Sequence, residues 1–85
     1  MFEVMFKRKA AKTLARIPRS TRERIRTALT VLSADPDTQS LDVKPLYGRN
    51  GFRLRVGGWR VIYEVIRGRL IILVLEIGPR GDIYK

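Results

Sequence analysis

Residues 52–66 read FRLRVGGWRVIYEVI, two alternating runs on either side of Gly57-Gly58. Two glycines between alternating runs signal a hairpin with a two-residue loop. Such a loop leaves no freedom of register. Val56 must pair with Trp59, Arg55 with Arg60, and Arg53 with Ile62. Strand alternation then gathers Phe52, Leu54 and Val56 with Trp59, Val61, Tyr63 and Val65 on one face, the expected core. Trp59 and Tyr63 are read as packing residues on that side. Arg53, Arg55 and Arg60 share the other face, and Glu64 joins them by parity. Like charges directly opposite on a sheet cost up to about 1 kcal/mol. A bound phosphate between such groups would turn repulsion into attraction.

The other elements fall into place around this hairpin. Residues 2–6 alternate, with Phe2, Val4 and Phe6 on one side, and read as a short strand. A helix is expected from about Lys7 to Ile17, with Phe6, Ala10, Leu14 and Ile17 as its apolar stripe and Pro18 as its stop. Ser20-Thr21-Arg22-Glu23 matches a capping box and predicts a second helix to about Leu32, with Ile25, Ala28, Leu29 and Leu32 buried. The short break makes the two helices an antiparallel hairpin. Residues 33–51 are rich in turn formers and read as a loop with one irregular strand near Leu46. Gly68 marks a turn, and residues 70–77 form a strand that is apolar on both faces, hence central or well covered, ended by Gly78-Pro79. The expected class is α+β. It is an antiparallel sheet in the order β-α-α-β-β-β, with the N-terminal helical hairpin packed on one face. Residues 1–85 form a single domain, without linker or repeat. Its 45% apolar content suffices for one modest core.

Charge narrows the function. Eighteen basic residues against eight acidic ones give a formal charge of +10, which implies an anionic partner. Thirteen of the basic residues are arginine, the side chain suited to bidentate phosphate contacts. Histidine and cysteine are both absent. That removes the commonest general acid–base, the commonest metal ligands and any disulfide. No cofactor or metal is expected. No apolar run is long enough to span a bilayer, and Met1–Phe6 is interrupted by Glu3 and followed by Lys7, Arg8 and Lys9, unlike a signal peptide. The expectation is a cytoplasmic protein with no membrane partner. From Lys7 to Arg26 there are nine basic residues and one acid, Glu23. Arg8, Lys12 and Arg16 recur every fourth residue and mark a second basic surface, for RNA or for an acidic protein. The arginines of the hairpin have no acid near them in sequence; Asp37 and Asp42 lie in the predicted loop. An RNA-recognition motif is set aside, since the open face lacks alternating aromatics.

The run GFRLRVGGWRVIYEV, the apolar strand after it, IGPRGDIY near the C-terminus and VKPLYG upstream together resemble the RelE/ParE superfamily of bacterial and archaeal type II toxins. The resemblance covers essentially the whole chain. It implies the RelE-like microbial RNase toxin fold. The RelE branch comprises ribosome-dependent endoribonucleases that cut mRNA in the ribosomal A site; the ParE branch shares the fold and poisons DNA gyrase. RelE-type toxins carry two basic residues on the strand before the turn, matched by Arg53 and Arg55. They carry an arginine opening the return strand, one after the last strand and a tyrosine near the end, matched by Arg60, Arg80 and Tyr84. The enzyme pattern has lysines where Arg53 and Arg55 stand, which leaves the general acid and base open.

The chemistry so implied is attack of the ribose 2′-OH on the adjacent phosphate, giving a cyclic 2′,3′-phosphate and a 5′-OH. It requires no protein nucleophile. It requires stabilisation of extra negative charge on phosphorus, which guanidinium groups supply. The resemblance assigns Arg60 and Arg80 to clamping the phosphate, and Arg53 and Arg55 to adding charge at the scissile group and lowering the pKa of the 2′-OH. Arginine stays protonated and is a poor base. Tyr84 is the better candidate, as proton-transfer group or as a stacking platform, and Glu64 a lesser one. Lys44 would contact phosphate from the loop. The implied partners are the ribosome with its mRNA and a cognate acidic antitoxin that folds on binding. Two rival readings stay open. One is a ParE-like gyrase poison. The other is a basic RNA-binding module without catalysis, whose affinity would fall with salt at a slope of roughly −0.7 per phosphate contact.

Overall fold

The structure is a computed structural model that describes residues 1–79. Its strands and helices, in chain order, are β1 (Glu3–Phe6), α1 (Arg8–Arg16), α2 (Arg19–Ala34), β2 (Val43–Pro45), β3 (Phe52–Val56), β4 (Trp59–Ile66) and β5 (Ile71–Pro79). The glycine hairpin has the expected register: Val56 faces Trp59, Arg55 faces Arg60 and Arg53 faces Ile62. Gly57 takes φ +59°. A positive φ at the first of the two loop positions is the mark of a type II′ turn, whose twist suits the flanking strands.

The sheet has five strands in the order β1-β5-β4-β3-β2. β2 through β5 form an antiparallel meander. β1 differs from the expectation of a wholly antiparallel sheet, because it pairs parallel to β5, with Glu3 opposite Ile71 and Phe6 opposite Val74. The helical segment carries the chain from β1 at one edge to β2 at the other. The meander then returns β5 to the side of β1, running the same way. β5 therefore has a neighbour on each side, as its two apolar faces require. The irregular strand expected near Leu46 is β2, which pairs Val43 with Leu54, Lys44 with Arg53 and Pro45 with Phe52. Pro45 is tolerated there because β2 is an edge. The turn before β5 uses Leu70, not Gly68, at positive φ, +54°; its carbonyl accepts from Glu3 N–H at 2.8 Å.

Both helices lie on one face of the sheet. Ala10, Leu14 and Ile17 join Ile25, Ala28, Leu29 and Leu32 against Leu54, Val61, Tyr63, Ile72, Val74 and Ile77. Pro18 ends α1 as expected, holding Ile17 in extended conformation. The capping box does not form. Pro18 is itself the N-cap, α2 carries no side-chain cap, and Arg22 N–H bonds to the Pro18 carbonyl at 3.0 Å. Ser20 thus falls inside the first turn, two residues past the cap position. α2 also runs two residues past Leu32, to Ala34.

Tyr63 is 1% exposed and stacks on Phe52, ring centroids 5.6 Å apart. Burial pushes its phenol up to about 12, from an ordinary value of 10.0. The folded state therefore holds this proton more tightly than the unfolded state. Its contribution is complete below pH 10 and is lost as the pH rises through 12, reaching about 2–3 kcal/mol. Urea midpoints measured across that window are expected to fall more steeply for the wild type than for Tyr63→Phe.

Candidate nucleic-acid interface

The face of the sheet turned away from the helices carries the arginines. Alternation along β3 sends Leu54 into the core at 0% exposure and leaves Arg53 and Arg55 on the opposite side. β4 does the same with Val61 and Arg60. Cross-strand pairing then sets two rungs. One runs Lys44–Arg53–Ile62–Glu76 and the next Arg55–Arg60–Gly78. Gly78 places no side chain beside Arg60. Arg60 is only 6% exposed and Ile62 2%, so this face is not simply a solvated one. Glu76 is engaged by Lys9 of α1 at 3.5 Å.

Arg55 does have an acidic neighbour, contrary to the sequence expectation. Its Nε lies 3.3 Å from the Asp42 carboxylate, and its N–H donates to the Asp42 carbonyl at 2.9 Å. β2 is the reason: once Val43 pairs with Leu54, Asp42 falls opposite Arg55. Both side chains are about half exposed, so the pair contributes at most ~1 kcal/mol. It offsets part of the Arg55–Arg60 repulsion and is weak enough for a phosphate to displace. Glu64 lies on the same face but sits two rungs along β4 from Arg60, roughly 13 Å away at ~3.3 Å per residue.

Arg8, Lys12 and Arg16 are exposed along α1, in the helical layer. They belong to a different element from Arg53, Arg55 and Arg60, and of α1 it is Lys9 that reaches Glu76 on the arginine rung. Arg80 and Tyr84 lie outside the described residues. Among the described residues no three His, Cys, Asp or Glu side chains gather as a metal site, and no helix is long and apolar enough to cross a membrane.

Two arginines have roles that their spacing on α2 conceals. Arg22 looks like part of the basic stripe, yet it donates from Nε to the Leu14 carbonyl at 3.0 Å and from Nη2 to the carbonyls of Ile17 at 3.3 Å and Ala15 at 3.4 Å. It closes the C-terminus of α1, where a cation also meets the negative end of the helix dipole. Arg24 lies over the hairpin turn: a Cβ on Gly57 would sit 3.1 Å from its Nη1. Positive charge therefore continues around the end of the hairpin, from one face of the sheet toward the other. Neither role has a sequence signature, since each depends on a contact between separate elements.

The family model of the ParE toxin of the type II toxin–antitoxin system parDE matches residues 4–84. The chain belongs to the RelE/ParE superfamily of type II toxins. The toxin is similar to toxin RelE1 of Methanocaldococcus jannaschii, 29% identical over 86 residues that cover 99% of this chain and 96% of that protein. Its fold matches RelE in the RelE–RelB complex from Pyrococcus horikoshii, with a TM-score of 0.82 and 28% identity over 95% of this toxin and 97% of that chain. The isolated Escherichia coli RelE toxin gives a TM-score of 0.81 at 18% identity, covering 99% and 89% of the two chains. That last likeness is one of fold alone. The α+β architecture and the superfamily expected from the hairpin and C-terminal motifs are those found.

Proposed function

We propose that this toxin is a ribosome-dependent mRNA endoribonuclease. The observation that carries the reading is the cluster of Arg53, Arg55 and Arg60 on adjacent rungs of one sheet face, with Lys44 beside it. Strand register sets three arginines on adjacent rungs, and their charge favours a phosphate that gains negative charge during reaction. Arg60, within the sheet and shielded from water, would clamp the scissile phosphate; Arg53 and Arg55 would add positive charge at that phosphate and favour ionisation of the attacking 2′-OH. The 2′-OH gives up its proton and its oxygen forms the new P–O bond. The P–O5′ bond breaks, and the 5′-oxygen takes up a proton to leave as the 5′-OH, with a cyclic 2′,3′-phosphate remaining. Arg80 would complete the clamp, and Tyr84 would supply stacking or proton transfer.

The proposed partner is an acidic antitoxin, as RelB is the partner in the Pyrococcus horikoshii complex. Clefts lined by Phe6, Leu14, Ala15, Arg22 and Arg26, and by Val4, Phe6, Arg26 and Leu29, offer apolar floors with basic rims. An amphipathic acidic segment fits that combination.

The test is a primer-extension map of a reporter mRNA in a translating extract and on naked RNA, with and without the toxin. New cuts on the translated message only, lost with Arg80→Ala, are expected. Absence of cuts from folded toxin in both samples would overturn the reading. The match to the ParE family model favours a second reading, a gyrase poison. It predicts intact message and inhibited supercoiling by purified gyrase.

A further inference from the structure

Tyr47 is 102% exposed, more than any other large apolar side chain described. Its ring touches nothing in the fold, so it contributes nothing to the core. Yet the loop that carries it is tightly built. Leu46 N–H bonds to the Gly51 carbonyl at 3.0 Å and closes the loop at its base. Gly51, at φ +112°, is pressed so close to β4 that a Cβ there would lie 2.8 Å from the Tyr63 carbonyl oxygen. Gly48, at φ +75° and facing open space, turns the chain directly after Tyr47. An aromatic ring is thus presented to solvent from an anchored loop. Lys44 and Arg49 flank it, both exposed, and Lys44 faces Arg53 on the arginine side of the sheet. Between Asp42 and Glu64 the chain contains no acid.

We infer that Tyr47 is a stacking platform for an unpaired nucleobase of the bound RNA, with Lys44 and Arg49 holding the phosphates beside it. The inference rests on the RNA-directed reading above and names the contact that would hold the strand outside the arginine cluster. An aromatic face beside cations is the usual combination for single-stranded nucleic acid, because every base offers a π-face whatever its sequence. An acidic peptide would use the cations but would have no need of an exposed ring.

The experiment measures binding, not cleavage. The probe is a short single-stranded RNA with a 2′-O-methyl backbone, which removes the attacking hydroxyl, carrying 2-aminopurine at each position in turn. Tyr47→Ala and Tyr47→Leu are expected to weaken binding about 5- to 150-fold, the worth of one stacked base, and to abolish quenching of 2-aminopurine at one position. Tyr47→Phe is expected to retain both. Because the side chain is fully exposed, circular dichroism of all three variants should match the wild type. Equal affinity of wild type and Tyr47→Ala overturns the inference and leaves the RNA-directed reading standing. Loss in Tyr47→Phe as severe as in Tyr47→Ala overturns stacking in favour of the hydroxyl. Failure of the wild type to bind the free RNA overturns the inference, while the ribosome-dependent reading is decided separately by the cleavage map on translated message.

Discussion

Arg55→Ala is expected to lower cleavage of translated mRNA by about two to three orders of magnitude while changing stability by less than about 1 kcal/mol. The first magnitude is that of removing one preorganised donor from a charge-developing transition state. The second follows from two small terms of opposite sign. The variant loses an exposed ion pair with Asp42, worth at most ~1 kcal/mol. It also relieves the repulsion from Arg60 directly opposite, worth up to ~1 kcal/mol. Activity and stability are thus decoupled at this residue, as they should be where charges are gathered for a ligand. Arg60→Ala should lose as much activity, but at 6% exposure its truncation also disturbs packing. Arg60→Lys is the cleaner partner, because it retains charge and removes only the planar fork. The double variant should be little worse than either single one if both groups act on the same phosphate. Single-turnover cleavage in a translating extract, alongside urea denaturation of each variant, tests these statements. A fully active Arg55→Ala would exclude the rung as a phosphate receptor.

Arg22→Ala is expected to destabilise the fold by about 2 kcal/mol, lowering the melting temperature by roughly 10–15 °C for a domain of this size. Three carbonyls at the end of α1 lose their donor at once, and the end of the helix dipole loses a cation. Arg22→Lys should recover the dipole part alone, about 0.3–1 kcal/mol. Arg26→Ala, one turn along α2 and exposed, should stay within about 0.5 kcal/mol of wild type. Thermal melts of the three variants separate the capping role from general loss of charge. Similar melting of Arg22→Ala and Arg26→Ala would show that the cap contributes nothing.

The contrast between Arg22 and Arg55 explains what could be read in advance. In β3 and β4 the side-chain period is two and the loop holds two residues, so parity alone placed Arg53, Arg55 and Arg60 on one face and paired Arg55 with Arg60. The apolar stripes of α1 and α2 were legible in the same way, from helical spacing. Asp42 escaped because β2 is three residues long and has no alternation to detect. Its strand character comes from β3, which it pairs with. The capping box was misread because Pro18 already supplied a start for α2, which moved Ser20 into the first turn. Arg22 carried the same spacing as its exposed neighbours, and nothing local distinguishes a solvated arginine from one that reaches back eight residues to another helix.

The sequence by itself determined the hairpin register, the helical stripes, the arginine face and the superfamily, because each is written in a local period or a contiguous motif. The tertiary structure alone decided the parallel pairing of β1 with β5, the Asp42–Arg55 ion pair, the Arg22 cap and the outward setting of Tyr47. Each of these depends on which distant segments the chain brings together. That is fixed by burial of the common core, and no local pattern records it.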